Sequence, residues 1–324
     1  ATTMADATLP TVAMDTEAGT QYNVLHGYTS ELDSTLFYGN ITPVAKDRKL
    51  TVTINTYGED IEGVAYKIRS LEDKSLIENT EVSDYDNAGS SINVTFNIKN
   101  LLDTGKEYAL EIVLKTKKHE AVYYYTRIVY GVDYDLQKKL DFVMNFNACT
   151  FDDSRLKDIS GYLETSSSGD NTNYGKVNIN CSLSQVGWGD LDPYVESDIM
   201  PEVISVDDDV AILRLSYRVG AANDYSSSDT YTVSEYYRIR QTNSGFYLLN
   251  FEREMNQVFD ARNDLTSTAK INLGINSSTD VNCASDEKGI YTYFVNQGSL
   301  WCFNSSSQTF TRVFSFKGEE TDSV

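Results

Sequence analysis

The feature that most constrains the fold of this chain is an alternation of apolar and polar residues with a period of two, which recurs along most of its 324 residues. In RKLTVTINTYG, Leu50, Val52 and Ile54 fall on one face, while threonine and asparagine fill the other. Successive side chains of a strand point to opposite faces, so this pattern indicates strands buried on one side. The 23 tyrosines and only 4 prolines suit the same interpretation. The sequence predicts a mainly β, multidomain protein.

Residues 20–132 are predicted to form an immunoglobulin-like β-sandwich. GVAYKIRSLEDKSLIENTEV alternates, turns over residues 72–75 and resumes at Leu76, which is typical of a hairpin. Three more strands follow from Ser90 to Gly131, with a second hairpin turn at residues 117–120 and no helical period between them. Strand following strand favours two packed antiparallel sheets.

One short motif within this region suggests a family. Leu102-Asp-Thr-Gly105-Lys-Glu-Tyr108 resembles the L-x-P-G-x-x-Y corner of fibronectin type III domains, although Thr104 stands at the proline position. Ile54 also stands where those domains usually carry tryptophan. The resemblance implies structural roles for Leu102, Gly105 and Tyr108, with the tyrosine hydroxyl bonded to backbone upstream.

Residues 133–265 begin with a change of period and are predicted to form an α+β domain, with two helices on an antiparallel sheet. The spacing of Leu136, Leu140, Val143 and Met144 predicts an amphipathic helix, with Asp133 or Asp135 as its cap. DDSRLKDISGYLE predicts a second short helix. The element order resembles that of nuclear-transport-factor-like domains.

At least four strands are predicted after these helices, in the segments KVNINCSLSQVGWGD, DDVAILRLSYRV and TYTVSEYYRIRQTNSGFYLLNFERE. In the second segment one face carries only apolar side chains: Ala211, Leu213, Leu215, Tyr217 and Val219. We expect that face to take the helices.

Residues 266–324 are predicted to form a four-stranded sheet that resembles one blade of a β-propeller. Its strands are expected at Gly289–Asn296, Ser299–Asn304 and Thr309–Phe316, with STDVNCAS as the fourth. Closed propellers need several blades, so the resemblance implies a truncated propeller; the alternative is a small sheet docked on the second domain. The apolar side chains of this unit need cover from a missing blade, the neighbouring domain or a second copy: Phe294, Leu300, Trp301 and Phe314. Self-association through its sheet edge is one expected contact.

The charge and composition of the chain exclude some classes of binding partner. A net charge of −21 repels phosphate backbones, so nucleic acid is not an expected partner. No apolar stretch is long enough to span a bilayer, and residues 1–19 are predicted to be a flexible tether, so membrane contact is expected only through an anchor outside this chain. The four cysteines, which form no C-x-x-C pair, are expected to be buried free thiols: Cys149, Cys181, Cys283 and Cys302.

The candidate site residues are acidic clusters and one tryptophan. Asp207, Asp208 and Asp209 have the oxygen ligands that Ca²⁺ prefers, with solvated turns as the alternative interpretation. Trp188, with Asp190 and Asp192, has the aromatic face and carboxylates that suit a sugar ring, with a core tryptophan beside a tight turn as the alternative. Beyond Ca²⁺, no cofactor is predicted.

No catalytic residue is predicted. The two histidines, His26 and His119, are far apart in sequence, and no nucleophile, phosphate or zinc motif occurs. Paired carboxylates remain the one catalytic chemistry that 48 acidic residues supply.

The order of tether, sandwich, α+β domain and blade-like sheet resembles large uncharacterised extracytoplasmic proteins of Gram-positive gut anaerobes, which carry an N-terminal membrane anchor. The phrases that carry this resemblance are LHGYTSELD, ITPVAKDRKLTV, GDNTNYGKVNI and SQVGWGDL. It implies an extracellular, surface or membrane-anchored location. The expected function is a noncatalytic scaffold that binds protein or glycan partners. The alternative is an accessory part of a carboxylate-dependent glycan hydrolase, with its catalytic part elsewhere or in a cleft of the second domain.

Overall fold

The first part of the protein is a two-sheet sandwich. The computed structural model describes residues 9–85, 89–131, 134–222, 228–259, 266–267, 270–271, 282–296 and 298–315. The sandwich strands, in chain order, are β1 (Thr11–Asp15), β2 (Gln21–Leu25), β3 (Ile41–Val44), β4 (Lys49–Asn55), β5 (Ile61–Ser70), β6 (Leu76–Val82), β7 (Ser91–Asn97), β8 (Glu107–Thr116) and β9 (Val122–Tyr130). A 3₁₀ helix spans Ser34–Leu36.

One sheet has the order β2-β1-β4-β7 and the other β3-β9-β8-β5-β6. All neighbouring strands are antiparallel except β3 and β9, which run parallel. The apolar positions of β4 are buried, as the alternation predicts, and the rings of Tyr66 and Phe96 stack between the sheets with centroids 4.8 Å apart. The two sheets therefore enclose a core along the faces that the sequence pattern indicates.

The Leu102–Tyr108 turn makes a backbone contact of the predicted kind. Tyr108 Oη accepts a hydrogen bond from the Asp103 N–H at 2.9 Å, and Leu102 is buried. Gly105 has a φ of +75°, a conformation that a side chain would strain. The three residues thus fix the entry into β8.

The prediction of a flexible tether over residues 1–19 is wrong for residues 11–15. These residues form β1, which pairs with β2 on one side and β4 on the other. Val12, Ala13 and Met14 are buried because β1 is an inner strand of its sheet. The tether residues 1–8 lie outside the described residues.

The second part packs helices on one face of an antiparallel sheet. Helix α1 (Leu136–Thr150) is followed by a 3₁₀ helix (Leu156–Tyr162) and the short helix α2 (Leu183–Val186). The strands are β10 (Lys176–Asn178), β11 (Tyr194–Val195), β12 (Met200–Val206), β13 (Val210–Ala222), β14 (Ser228–Thr242) and β15 (Gly245–Gln257). Their order is β10-β15-β14-β13-β11, and β12 also pairs with β13.

The predicted first helix is present, but its cap differs. Asp135 occupies the N-cap position with a φ of +49° and makes no side-chain capping bond. Its carboxylate instead accepts hydrogen bonds from Lys138 at 2.9 Å and Gln241 at 2.6 Å. Asp133, the other predicted cap, lies outside the described residues.

The prediction of strand in KVNINCSLSQVGWGD holds only for Lys176–Asn178, and the segment then turns into α2. Ser182 Oγ accepts the backbone N–H of Gln185 at 3.2 Å, which caps α2. The alternating apolar residues Val177, Ile179 and Cys181 are all buried, but only Val177 lies in a strand. Most of this segment is thus buried without being a strand.

The third part is a four-stranded antiparallel sheet in the order β18-β19-β20-β21. Two two-residue strands, β16 (Thr266–Ser267) and β17 (Lys270–Ile271), precede it and pair with each other; its own strands are β18 (Cys283–Ser285), β19 (Tyr291–Asn296), β20 (Ser299–Asn304) and β21 (Thr309–Ser315). Phe316 and residues 278–281 of the prediction lie outside the described residues. Its buried aromatic residues form a small cluster with Phe259, which follows β15. The expectation that all four cysteines are buried is wrong for this sheet, where Cys283 is exposed and Cys302 is half-buried.

The first two parts share one continuous hydrophobic core. At their junction Asn23 is buried with a φ of +48°, and its Oδ1 accepts the backbone N–H of Val203 at 2.7 Å. Its Nδ2 donates to the carbonyl of Ile41 at 2.9 Å and to Thr42 Oγ1 at 3.0 Å. One buried hydrogen bond therefore joins β2 to β12, and two more hold the same asparagine to β3 within the sandwich. The prediction of a mainly β protein with several sheets is confirmed.

Candidate binding groove on the second sheet

A solvent-open groove lies on the face of the second sheet that points away from the core. It forms where β14 and β15 pair, and the register places Tyr236 opposite Glu252 and Ser234 opposite Glu254. With Asn250, these side chains line a volume of about 300 Å³. Alternation along the two strands explains the grouping, because side chains two residues apart share a face. The groove therefore collects five polar or aromatic side chains on a regular framework.

The two carboxylates of the groove already have partners within the protein. Glu254 Oε1 is 3.1 Å from Lys176 Nζ, which projects from the neighbouring strand β10. Glu252 Oε1 accepts a hydrogen bond from Asn250 Nδ2 at 2.9 Å. One lysine thus offsets part of the negative charge, and the carboxylates retain further lone pairs for a ligand.

The hydroxyl groups of the groove are available. In the part of the chain that the structure describes, neither the Tyr236 nor the Ser234 hydroxyl hydrogen-bonds another residue. Arg214 is the cross-strand neighbour of Tyr236 on β13, and its guanidinium pairs with Glu202 at 3.3 Å. The Tyr236 ring consequently lies between a carboxylate on one side and a paired cation on the other.

Directly behind the groove, the same strands hold a buried polar network. Glu235 Oε2 accepts from Asn147 Nδ2 at 2.9 Å and from Tyr237 Oη at 2.6 Å, and its Oε1 accepts from Tyr217 Oη at 3.0 Å. Burial raises the pKa of both tyrosines well above the usual range, and the charge of Glu235 raises it further. Both phenols therefore stay protonated and donate to the carboxylate.

Arg253 completes this network. It is fully buried, and its Nη1 lies 3.7 Å from Glu235 Oε1. Its guanidinium donates to the carbonyls of Val186 at 2.9 Å and Gln185 at 3.0 Å, which terminate α2. Glu235 and Arg253 alternate with the groove residues along β14 and β15, so the network holds the two strands that present the groove.

The structure places Trp188 in the core and not at a surface. It is 1% exposed, its ring lies against the guanidinium of Arg253, and its Nε1 donates to Thr150 Oγ1 at 3.3 Å. Asp190 and Asp192 are exposed in the turn beyond it. The structure therefore supports the alternative interpretation, a core tryptophan beside a tight turn, and contradicts the sugar platform, because the buried ring packs against Arg253 and Phe151.

The Asp207–Asp209 cluster forms the turn between β12 and β13, and a lysine occupies its inner side. Lys139 Nζ donates to the carbonyls of Asp207 at 2.7 Å and Asp208 at 3.0 Å. Burial lowers the pKa of Lys139, and the neighbouring aspartates oppose that shift. A Ca²⁺ ion bound in this turn would use the same carbonyl oxygens as ligands. The Lys139 ammonium group already occupies that position, which does not support the Ca²⁺ prediction. Among the described residues, no group of three or more His, Cys, Asp or Glu side chains could hold a metal ion.

Sequence reasoning did not find the groove. Glu252 and Glu254 are two of 48 acidic residues, and nothing local distinguishes them. Their juxtaposition with Tyr236 depends on the β14–β15 register, which shifts at a bulge between Arg238 and Ile239. The only local indication in the stretch TVSEYYRIR is that Tyr236 shares a strand face with the polar residues Ser234 and Arg238.

Comparisons with known proteins show no family for this chain. No family model matches it, and no curated protein matches it. Among solved structures it is similar to the sporulation control protein Spo0M from Bacillus subtilis, with 9% identity over 67% of this chain and 86% of that chain and a TM-score of 0.20. A likeness at that level carries no argument about fold or function. Within the described ranges, no helix is both long and apolar enough to cross a membrane.

Proposed function

We propose that this chain is a noncatalytic binding scaffold that acts at a cell surface, with the β14–β15 groove as its partner site. The proposal rests on the contrast between the two faces of strands β14 and β15. One face holds the buried Glu235–Arg253 network, and the other presents Tyr236, Glu252 and Glu254 to solvent. Binding sites work best when their side chains project from elements that are rigidly supported from behind.

The fused first two parts support a scaffold role. Relative motion of domains is expected where their interface is small and polar, and is limited where the core is continuous. Here the hydrophobic core is continuous, and Asn23, which is itself bonded to β3, accepts a buried hydrogen bond from Val203 of β12. A groove on the second sheet is therefore held at a fixed position relative to the sandwich.

The alternative function, an accessory part of a glycan hydrolase, has one favourable observation. Glu252 and Glu254 project on the same face of β15, two residues apart, which is a separation of about 7 Å along a strand. Glycoside hydrolysis also needs a carboxylic acid that stays protonated, and apolar surroundings keep such an acid protonated. Glu252 is exposed and Glu254 is paired with Lys176, so the surroundings favour binding over acid catalysis.

The proposal is tested by binding of the fluorescently labelled chain to intact Gram-positive bacterial cells. We expect saturable binding by the unmodified chain and its loss in Tyr236→Ala. Tyr247→Ala is the matched control, since Tyr247 is an exposed tyrosine of β15 that does not line the groove. Equal binding by all three proteins, or none by the unmodified chain, would refute the proposal. Release of reducing sugar that disappears in Glu252→Gln would support the hydrolase instead.

A further inference from the structure

The dimensions of the groove floor suit a single small ring. Neighbouring strands lie about 4.8 Å apart, and side chains two residues apart on a strand are about 7 Å apart. Tyr236 and Ser234 on β14, with Glu252 and Glu254 on β15, occupy the four corners of such a floor. This area is on the scale of one six-membered sugar ring, and far below the surface that a stable protein partner buries.

The chemistry of the groove suits a ligand with many hydroxyl groups. Glu252 and Glu254 accept hydrogen bonds, Asn250 both donates and accepts, and the Tyr236 and Ser234 hydroxyls do the same. Every hydroxyl of a sugar can donate and accept, so it can satisfy any of these groups. The ring of Tyr236 adds an apolar face that can pack on the C–H groups of a pyranose.

Other ligand classes fit less well. The two glutamates repel phosphate and other anions. A cationic ligand would approach Lys176, which already pairs with Glu254, and Arg214, which flanks Tyr236. A protein partner would need an apolar centre, and here only Tyr236 is aromatic among the five lining residues. A neutral, polyhydroxylated ring is the class that all of the lining groups accept.

The backbone that carries the groove side chains is held in place from behind before any ligand binds. Tyr236 lies between Glu235 and Tyr237, both of which are fully buried in the core network. Glu252 and Glu254 flank Arg253, whose guanidinium is fixed by the carbonyls of α2. Fixing these backbones reduces the ordering cost of binding, which matters most for small, weakly bound ligands.

We propose that the groove lined by Ser234, Tyr236, Asn250, Glu252 and Glu254 binds a neutral hexopyranose unit of a glycan. The Tyr236 ring packs on one face of the sugar, and the carboxylates accept hydrogen bonds from its hydroxyls. This inference rests on the proposed function and names the ligand of that same site.

The test uses saturation-transfer NMR of the full chain with maltose, cellobiose and N,N′-diacetylchitobiose, supported by a glycan array. We expect a saturable signal with at least one disaccharide. Tyr236→Ala should weaken that binding about tenfold, the scale of one aromatic contact, while Tyr236→Phe should keep most of it. Glu252→Gln should weaken it several-fold, because the neutral amide is a poorer acceptor than a carboxylate. Circular dichroism and melting curves establish that each variant is folded.

The controls separate this inference from the proposed function. Tyr247→Ala should bind the disaccharide as the unmodified chain does. No saturable signal with any disaccharide and a blank array would overturn the glycan assignment, as would sugar binding that Tyr236→Ala and Glu252→Gln leave unchanged. If sugars fail to bind while Tyr236→Ala still abolishes binding to cells, the proposed function stands and the partner is a protein.

Discussion

The guanidinium of Arg253 lies against the indole of Trp188, with Cζ 3.4 Å from the ring centroid, and both side chains are buried. The same guanidinium lies beside Glu235 and caps the carbonyl end of α2. One cation therefore meets a carboxylate, a helix end and an aromatic face in the interior. Its removal affects all three, with the largest cost at the carboxylate, because Glu235 keeps its neutral hydrogen-bond donors but loses the cation that balances its buried charge.

Arg253→Met is predicted to lower the free energy of unfolding by about 3–5 kcal/mol, the cost of breaking a buried ion pair from one side. Urea denaturation followed by circular dichroism measures this. The double variant Arg253→Met/Glu235→Gln removes the orphaned charge as well and should be more stable than Arg253→Met alone. A double variant that is less stable than the single one would contradict an unpaired Glu235 as the cause.

Local patterns were sufficient where burial follows from the strand itself. The buried positions Leu213, Leu215 and Tyr217 of β13 were predicted from alternation alone, because every second residue of that strand faces the helices. The helix period of Leu140 and Val143 likewise predicted the buried face of α1. These assignments needed only the geometry of one element.

Trp188 and the groove show where local patterns fail. The residues around Trp188 left two interpretations open, a sugar platform and a core tryptophan, because its buried contact is with Arg253, a residue far along the chain. The groove depends on which residue of β14 faces which residue of β15, and a bulge between those strands shifts the register. The junction of the first two parts likewise includes a contact between residues far apart in sequence, Asn23 and Val203.

Asn23→Ala is predicted to weaken the junction between the sandwich and the second sheet. It leaves the Val203 N–H and the Ile41 carbonyl without their buried partner, and alanine is strained at a φ of +48°. We expect a loss of about 2–4 kcal/mol, the cost of two buried unpaired groups. Differential scanning calorimetry should show the melting transition of the first two parts broadening or splitting. Unchanged Tm and a single sharp transition would show that the junction does not depend on Asn23.

The stability of the sandwich is predicted to fall at high pH through Tyr125. Burial raises the pKa of Tyr125 from 10.0 to about 12, although its hydroxyl accepts the backbone N–H of Leu32 at 2.7 Å, which by itself favours the phenolate. Because the folded-state pKa lies above the unfolded value, the folded chain disfavours the buried phenolate, so the contribution of the neutral phenol to stability is fully present below pH 10 and is lost as the pH rises through about 12.

Tyr125→Phe should therefore be less stable at neutral pH, by about 1 kcal/mol for one lost hydrogen bond. Between pH 10 and about 12 it should lose less stability than the unmodified chain, because no phenol ionises at this position. Urea midpoints across this range provide the measurement. If the urea midpoints of the two proteins fell equally as the pH rises, Tyr125 would be ruled out as a cause of the loss of stability at high pH.

Phe259 is predicted to hold the C-terminal sheet to the rest of the molecule. Its ring centroid lies 5.4 Å from Phe294, 4.9 Å from Trp301 and 5.2 Å from Phe310, so it covers the aromatic face of that sheet. The adjacent Val258 N–H donates to the Thr230 carbonyl at 2.7 Å, which fixes this position on β14. The expectation that the sheet finds cover in the neighbouring domain is met for Phe294, which is buried.

Phe259→Ala should destabilise the C-terminal sheet by about 3–5 kcal/mol, the usual cost of removing a buried phenylalanine side chain. Hydrogen exchange measured by mass spectrometry should then show faster exchange across β19 and β20, while β13 and β14 keep their protection, because a locally unfolding unit exchanges independently. Val313→Ala is the matched control, since Val313 is 49% exposed and should leave exchange unchanged. If Phe259→Ala left β19 and β20 as protected as before, the C-terminal sheet would have to be stable by itself and Phe259 would not be what holds it.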